Sequence, residues 1–276
     1  MCRVLEVSRS GFYAWRERPE SERAHTDRRL RVLVCTSFHA SRRRYGSPRV
    51  HRDLIEHDIR VSRKRVVRLM REEGLQARQR KRFKLTTMSQ HDQPVAPNVL
   101  DRQFTAAAVN QRWVGDTTEF VIGETGKLYL AAILDLFSRF VVGWAIGAVN
   151  DRHLTIAALE MALKRRGPET GLLHHSDRGS PYASGDYQAI LQAHGITCSM
   201  SRSGDCFDNA VAEAFFSTVK MELGDRFETG DEAKRELFAY LEAFYNQRRR
   251  HSTLGYVSPA VFEQRAESTS TRARGL

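Results

Sequence analysis

The sequence predicts an α/β core built on a mixed five-stranded sheet, preceded by an all-α domain. Three observations carry that expectation. From residue 111 onward the patterned segments run strand, strand, strand, helix, strand, helix, strand, helix, an order that builds one mixed sheet flanked by helices. The first 77 residues instead carry helical periodicity with caps and stops. Charge divides the chain in a similar way: residues 1–100 hold 24 Lys and Arg against 11 Asp and Glu, a net +13, whereas residues 101–276 carry a net −2.

In the helical region, Ser8 caps a short helix through Phe12, Tyr13 and Trp15. A second helix spans 27–40 with Leu30, Leu33, Val34 and Phe38 inward, and a third spans 48–57 with Val50, Leu54 and Ile55 inward. After a turn at 59–62, Ser62 caps a fourth helix that Gly74 stops; Val66, Leu69 and Met70 face its core, while Lys64, Arg68 and Arg71 line the other side. Two helices joined by a tight turn, the second one basic, make a helix-turn-helix near 47–74, suited to the major groove or to backbone phosphates. Lys64, Arg65, Arg68 and Arg71 are its candidate DNA contacts. Residues 78–110 read as a basic, then polar and proline-containing, linker in which Arg80, Lys81 and Arg82 follow a DNA backbone. A net charge of this size points to a polyanionic partner and to binding that weakens steeply with salt.

Composition excludes other classes. No apolar run approaches the roughly 18 residues of a membrane span, and the N-terminus carries no signal-like apolar segment, so a cytoplasmic protein is expected. Cys2, Cys35, Cys198 and Cys206 show no CxxC pairing and read as reduced thiols.

The region 111–224 holds the chemistry. Residues 112–122 form a strand ended by the turn 123–126, and 127–137 and 139–148 continue an antiparallel meander. Asp116 lies on the first strand, where a carboxylate needs a partner; Arg112 or Arg139 would supply a purely structural one. A helix over 154–166, ended by Gly167-Pro168, leads to a strand over 171–177 whose carboxyl end carries Asp177. A helix over 186–194 and a strand over 196–201 follow. The loop 202–209 is expected to be mobile and to close over DNA. Along 209–223, Ala212, Phe216, Val219 and Leu223 make an apolar stripe, and Glu213, Ser217 and Lys220 form the polar edge beside it. The order fits a sheet of ribonuclease H type with Asp116 and Asp177 on neighbouring central strands. Residues 225–276 are expected to give a last helix over 231–246 and a basic tail in which Arg248 and Arg249, with Arg250 and His251, form a second basic cluster.

Three motifs stand around the acids: Trp-Val-Gly-Asp-Thr-Thr at 113–118, His-Ser-Asp-Arg-Gly-Ser-Pro-Tyr-Ala-Ser at 175–184 and Asp-Asn-Ala-Val-Ala-Glu-Ala-Phe-Phe at 208–216. Together they resemble the DD(35)E integrase core, and specifically the second-frame catalytic subunit of IS3-family insertion sequences. The likeness extends to Tyr-Asn-Gln-Arg-Arg-Arg-His-Ser-Thr-Leu-Gly-Tyr-Val-Ser-Pro at 245–259. The resemblance implies a transposase in which Asp116, Asp177 and Glu213 are both catalytic and metal-binding. Two Mg²⁺ ions are implied, with Mn²⁺ as a substitute: Asp116 bridges them, and Asp177 and Glu213 hold one each. It implies that Lys220 contacts terminal DNA. The implied partners are the element's inverted repeats, target DNA, an upstream transposase subunit joined by frameshift fusion, and further copies of the chain on DNA. Glu119 and Pro181 depart from the family pattern, which has an aromatic residue and Gln there. His174 and His175 suit a structural or phosphate-contacting role better than metal ligation. Two other readings are a DNA-binding regulator with an inactive core, and a ribonuclease H-like nuclease without strand transfer.

Overall fold

The computed structural model describes residues 2–78, 93–202 and 206–274. The chain divides into two compact units, 1–78 and 79–276.

The first unit is helical. Helix α1 (Arg9–Glu17) is capped by Ser8, whose hydroxyl accepts the Gly11 N–H at 3.2 Å, and it buries none of its residues. Helices α2 (Glu22–Ala40), α3 (Ser47–Glu56) and α4 (Arg63–Glu72) pack on one another through Leu30, Val34, Phe38, Val50, Leu54, Val66, Leu69 and Met70. Leu33 and Ile55, expected inward, sit only half-buried at the margin. Helix α2 starts five residues before the expected position because Ser21 caps it, accepting the Ala24 N–H at 3.2 Å.

The second unit is built on strands β1 (Arg112–Ile122), β2 (Gly126–Asp135), β3 (Val141–Gly147), β4 (Leu173–Ser176) and β5 (Thr197–Met200), in the order β3-β2-β1-β4-β5. The first three form the antiparallel meander, and β4 and β5 join in parallel. A two-residue strand, β6 (Arg226–Phe227), adds a sixth by pairing in parallel with the far end of β1. Alternation along β1 and β2 separates two cores. Val114, Phe120, Leu128 and Leu130 pack under α8 (Ala210–Leu223), α9 (Gly230–Phe238) and the π-helical turn Ala239–Tyr245. Trp113, Ala131 and Ile133 pack under α5 (Arg152–Arg166), α6 (Ser180–Ala183) and α7 (Gly185–Ala193).

Helix α5 approaches β3 backbone to backbone at Gly143. A Cβ there would lie 2.2 Å from the Ala158 carbonyl oxygen and 2.7 Å from both the Ala162 Cβ and the Ala162 nitrogen. Gly143→Ala is therefore expected to lose about 1–3 kcal/mol of stability, read as a lower urea midpoint, because a helix axis has to move. An unchanged midpoint would mean that β3 and α5 do not pack this closely.

Two boundaries differ from those expected. Residues 93–110, expected as linker, are tied to the core: the Val99 and Leu100 N–H groups donate to Ser199 Oγ at 2.9 and 3.1 Å, Leu100 is buried, and the Asn110 N–H donates to Asp135 at 2.7 Å. The apolar Leu100 and the local side-chain acceptors decide this, not the proline content. The last helix ends at Phe238, passes into the π turn, and is followed after Ser258 by a further helix, α10 (Pro259–Arg274), where a tail was expected. Phe262 and Glu263 fix α10 to the core, Phe262 against Phe137 with centroids 5.1 Å apart and Glu263 against Arg166 at 2.9 Å and against Ser138. No helix among the described residues is long and apolar enough to cross a membrane. Cys2, Cys35 and Cys198 are free thiols.

Candidate active site

Asp116 and Asp177 owe their proximity to the parallel pairing of β1 and β4. The register aligns Trp113 with His174 and Val114 with His175. Continued by two residues, it sets Asp116 level with Asp177, on chains about 4.8 Å apart. Asp116 lies mid-strand opposite Ala132, and Asp177 sits one residue beyond the end of β4. Each carboxylate is oriented by a nearby backbone N–H: Thr117 donates to Asp116 Oδ1 at 2.7 Å, and Gly179 donates to Asp177 Oδ1 at 2.9 Å. Neither arginine considered as a structural partner serves Asp116. Arg112 donates to the Gln103 and Thr105 carbonyls and Arg139 to the Phe104 carbonyl.

Helix α8 brings the third acid. Asn209, just before its first turn, donates from Nδ2 to the Gly115 carbonyl at 3.3 Å, which pins the helix beside the residue preceding Asp116. Glu213 lies four residues on and Lys220 seven further, so both share that helix face. Lys220 Nζ stands 5.5 Å from the centroid of the Phe120 ring, on the same face of β1 as Asp116. Glu119 alternates to the opposite face and pairs with Lys127 at 3.0 Å, yet its charge still acts on Lys220.

The electrostatics follow from this placement. Burial pushes the Asp116 carboxyl well up; the charge of Asp177 adds to this, the Thr117 N–H opposes it, Glu213 adds further and Lys220 opposes. Glu213 is exposed, yet partial desolvation still pushes its carboxyl up. Lys220 is pushed down by burial and back up by Glu119, Asp225 and Asp116. Among the described residues, no group of three or more His, Cys, Asp or Glu side chains is gathered so as to hold a metal ion as it stands. Asp116 and Asp177 are brought together, whereas Glu213 faces them from an exposed position on α8. Three carboxylates that repel one another do not close up without a cation. The donor set, all oxygen, with one acid driven toward its neutral form by desolvation and then by the charges of the other two, fits a hard divalent ion.

His174 and His175 are structural. Both are buried, and burial holds each near a pKa of about 4. His174 Nε2 meets the Tyr187 hydroxyl, and His175 bonds Ser199 at 2.8 Å and Ser201 at 3.2 Å. Gly115 is small because His174 lies over it: a Cβ would come 2.8 Å from His174 Cε1. Two features escaped the sequence reading. Tyr182, buried against His174 and Tyr187, has its hydroxyl pushed up by burial, by Tyr187, and by Asp116 and Asp177, so it stands beside the site. Asp208, expected on a mobile loop, is fully buried and takes Arg202 and Arg102 at 3.0 Å each. The Asp-Asn pair at 208 and 209, at the head of the motif that carries Glu213, was the signal available for it.

The basic candidates divide. Lys64 and Arg71 are exposed on α4. Arg65 and Arg68 instead turn to Asp27 of α2, at 2.6 and 2.5 Å, and Arg68 also pairs with Glu72. Asp27 is buried and requires cationic partners, and these two guanidiniums supply them. Arg248 is exposed, but Arg249 is buried, with Glu222 at 2.8 Å, and is not a surface contact. Arg80, Lys81 and Arg82 lie outside the described residues.

Models of the integrase core domain match residues 106–206 and 194–259, and a model of an HTH-like domain matches residues 25–83. The chain is 43% identical over 267 residues to an insertion element IS600 uncharacterized 31 kDa protein of Shigella sonnei, covering 96% of this chain and 98% of that one. It is 39% identical over 269 residues to the transposase InsF for insertion sequence IS3A of Escherichia coli (strain K12), covering 96% and 93%. The chain belongs to the IS3 family of transposases. Its first unit carries that family's HTH-like segment and its second the integrase core, of ribonuclease H-like fold. Among solved structures, the HTLV-2 integrase catalytic core domain in complex with magnesium aligns at 18% identity and a TM-score of 0.41, over 55% of this chain and 95% of that one.

Proposed function

We propose that this transposase cleaves DNA strands at the ends of its insertion sequence and joins them to target DNA, with Asp116, Asp177 and Glu213 as the catalytic acids. The observation that carries the reading is the β1–β4 register, which sets Asp116 level with Asp177, with the charge of Glu213 on α8 also acting on Asp116, an arrangement that favours cation binding. These three residues would hold Mg²⁺, as two ions, with Mn²⁺ as a substitute. When bound, such ions activate the attacking oxygen and stabilise the leaving one in an in-line displacement at phosphorus.

The chain's own residues orient the acids and the DNA. The Thr117 and Gly179 N–H groups fix one oxygen each of Asp116 and Asp177, and Asn209 sets the start of the helix that presents Glu213. Lys220, on the same helix face, contacts a phosphate of the terminal DNA. Lys64, Arg71 and Arg248, all exposed, add phosphate contacts, as do Arg80, Lys81 and Arg82. Water is the nucleophile for nicking, and the freed 3′ hydroxyl is the nucleophile for joining. The inverted repeats are recognised together with an upstream subunit, joined by frameshift fusion, in an oligomer on DNA.

The test is cleavage and joining of labelled DNA carrying the element's own ends, with Mg²⁺ or with EDTA, for the chain fused to its upstream subunit and for Glu213→Gln in the same fusion. Metal-dependent joined products that vanish in the variant, with DNA binding retained, are expected. Equal activity in both would remove Glu213 from the site. Cleavage without joining would favour a nuclease, and DNA binding with neither activity in the wild type would favour a regulator.

A further inference from the structure

Asp208 is a buried carboxylate that the proposed chemistry does not use. It accepts hydrogen bonds from three residues on two segments: Asn98 Nδ2 at 2.8 Å and Arg102 Nε at 3.0 Å before β1, and the Arg202 backbone N–H at 2.8 Å with the guanidinium at 3.0 Å beyond β5. It directly precedes Asn209, which holds the Gly115 carbonyl, and stands five residues ahead of Glu213. The same segment, 98–102, reaches the other acids by a second route. The Val99 and Leu100 N–H groups meet Ser199 Oγ, and Ser199 bonds His175 on β4, two residues before Asp177.

We infer that Asp208 is a positioning residue, which locks the start of α8 to the 98–102 segment and so sets where Glu213 stands relative to Asp116 and Asp177. The inference rests on the reading of these three acids as one metal-holding site. A fully buried carboxylate is retained where its hydrogen-bonded partners must hold one arrangement, and removing its charge leaves Arg202 and Arg102 without their shared acceptor. An asparagine in its place keeps the volume but offers one acceptor oxygen to donors that now meet two. The start of α8 then loosens, and Glu213 no longer presents its carboxylate at a fixed point.

Direct Mn²⁺ binding tests this without recourse to activity. Free Mn²⁺ is counted by electron paramagnetic resonance in titrations of the full chain, of Asp208→Asn, of Glu213→Gln and of the double variant. Groups that orient a metal ligand typically contribute about 10-fold or more to affinity. Asp208→Asn is therefore expected to weaken Mn²⁺ binding about 10-fold in the wild-type background and to change it little when Glu213 is already Gln. Equal weakening in both backgrounds, or none in either, overturns the inference while leaving the metal site in place. No effect of Glu213→Gln itself overturns the reading of the site and the inference with it. If Asp208→Asn fails to fold, Arg102→Gln serves: its side chain is half exposed and the Asp208–Arg202 pair remains. Weaker Mn²⁺ binding that depends on Glu213 is again expected, and unchanged affinity counts against the inference.

Discussion

Asp116→Asn is expected to lower strand cleavage and joining about a thousandfold or more, and at the same time to raise the melting temperature of the metal-free protein. The two effects share one cause. Asp116 is half-buried on β1 and partly desolvated, and it stands in the field of Asp177 and Glu213, so its carboxyl is pushed well up. A carboxylate there costs stability, a cost that the proposed catalytic role of Asp116 would offset. The sign of the pH dependence follows. The folded state holds the Asp116 proton more tightly than the unfolded chain, so the ionisation penalty is absent below the ordinary aspartate range. It grows as pH rises from that range toward the raised folded value, and is constant above it. The variant should match the wild type in stability at acid pH and exceed it by a few degrees at neutral pH in EDTA, while its activity is lost because a site member acting in concert is missing. Calorimetric melts in EDTA across pH, beside the joining assay, check both. A variant that melts below the wild type at neutral pH would show that Asp116 is stabilised by its surroundings.

Arg249→Ala is expected to cost about 3–5 kcal/mol, whereas Arg248→Ala, one residue away, should stay within about 0.5 kcal/mol. Arg249 and Glu222 are 4% and 3% exposed, so the pair is sealed from water. The guanidinium grips both Glu222 oxygens at 2.8 to 3.1 Å, the Tyr240 hydroxyl adds a hydrogen bond to the same carboxylate at 2.9 Å, and the Arg249 cation lies 5.6 Å from the Tyr245 ring centroid. Removing Arg249 strands a carboxylate in the core, between α8 and the π turn. Arg248 is exposed, so water replaces what its side chain provides. Urea unfolding of the two variants decides it, and equal midpoints would deny the buried pair.

The contrast between these adjacent arginines shows what the sequence could and could not disclose. The order of strands already placed Asp116 beside Asp177, as the β1–β4 register sets them, and the motifs around these two and Glu213 single out the three proposed acids. Helix starts were legible where a cap marks them, as at Ser8 and Ser62. Arg65, Arg68 and Arg249 were not, because a guanidinium in a basic run looks the same whether it faces phosphate or a buried acid. Their partners, Asp27 and Glu222, lie 38, 41 and 27 residues away. Helix α10 was missed because its pattern is mostly polar, with Phe262, Glu263 and the Ala260 N–H, which donates to the Asn246 carbonyl at 3.0 Å, tying it to the rest. The 93–110 segment was hidden by its composition, since one buried leucine and a shared serine hydroxyl decide its course.

The cation-holding centre proposed at Asp116, Asp177 and Glu213 is a single site. It is tested most directly by the change in melting temperature when millimolar Mg²⁺ or Mn²⁺ replaces EDTA, for the wild type and Asp116→Asn. The ion is expected to raise the wild-type melting temperature, since it binds only the folded state and relieves the repulsion there, and to leave Asp116→Asn nearly unmoved. Equal shifts in both proteins would contradict it, because the ion would then be held without Asp116.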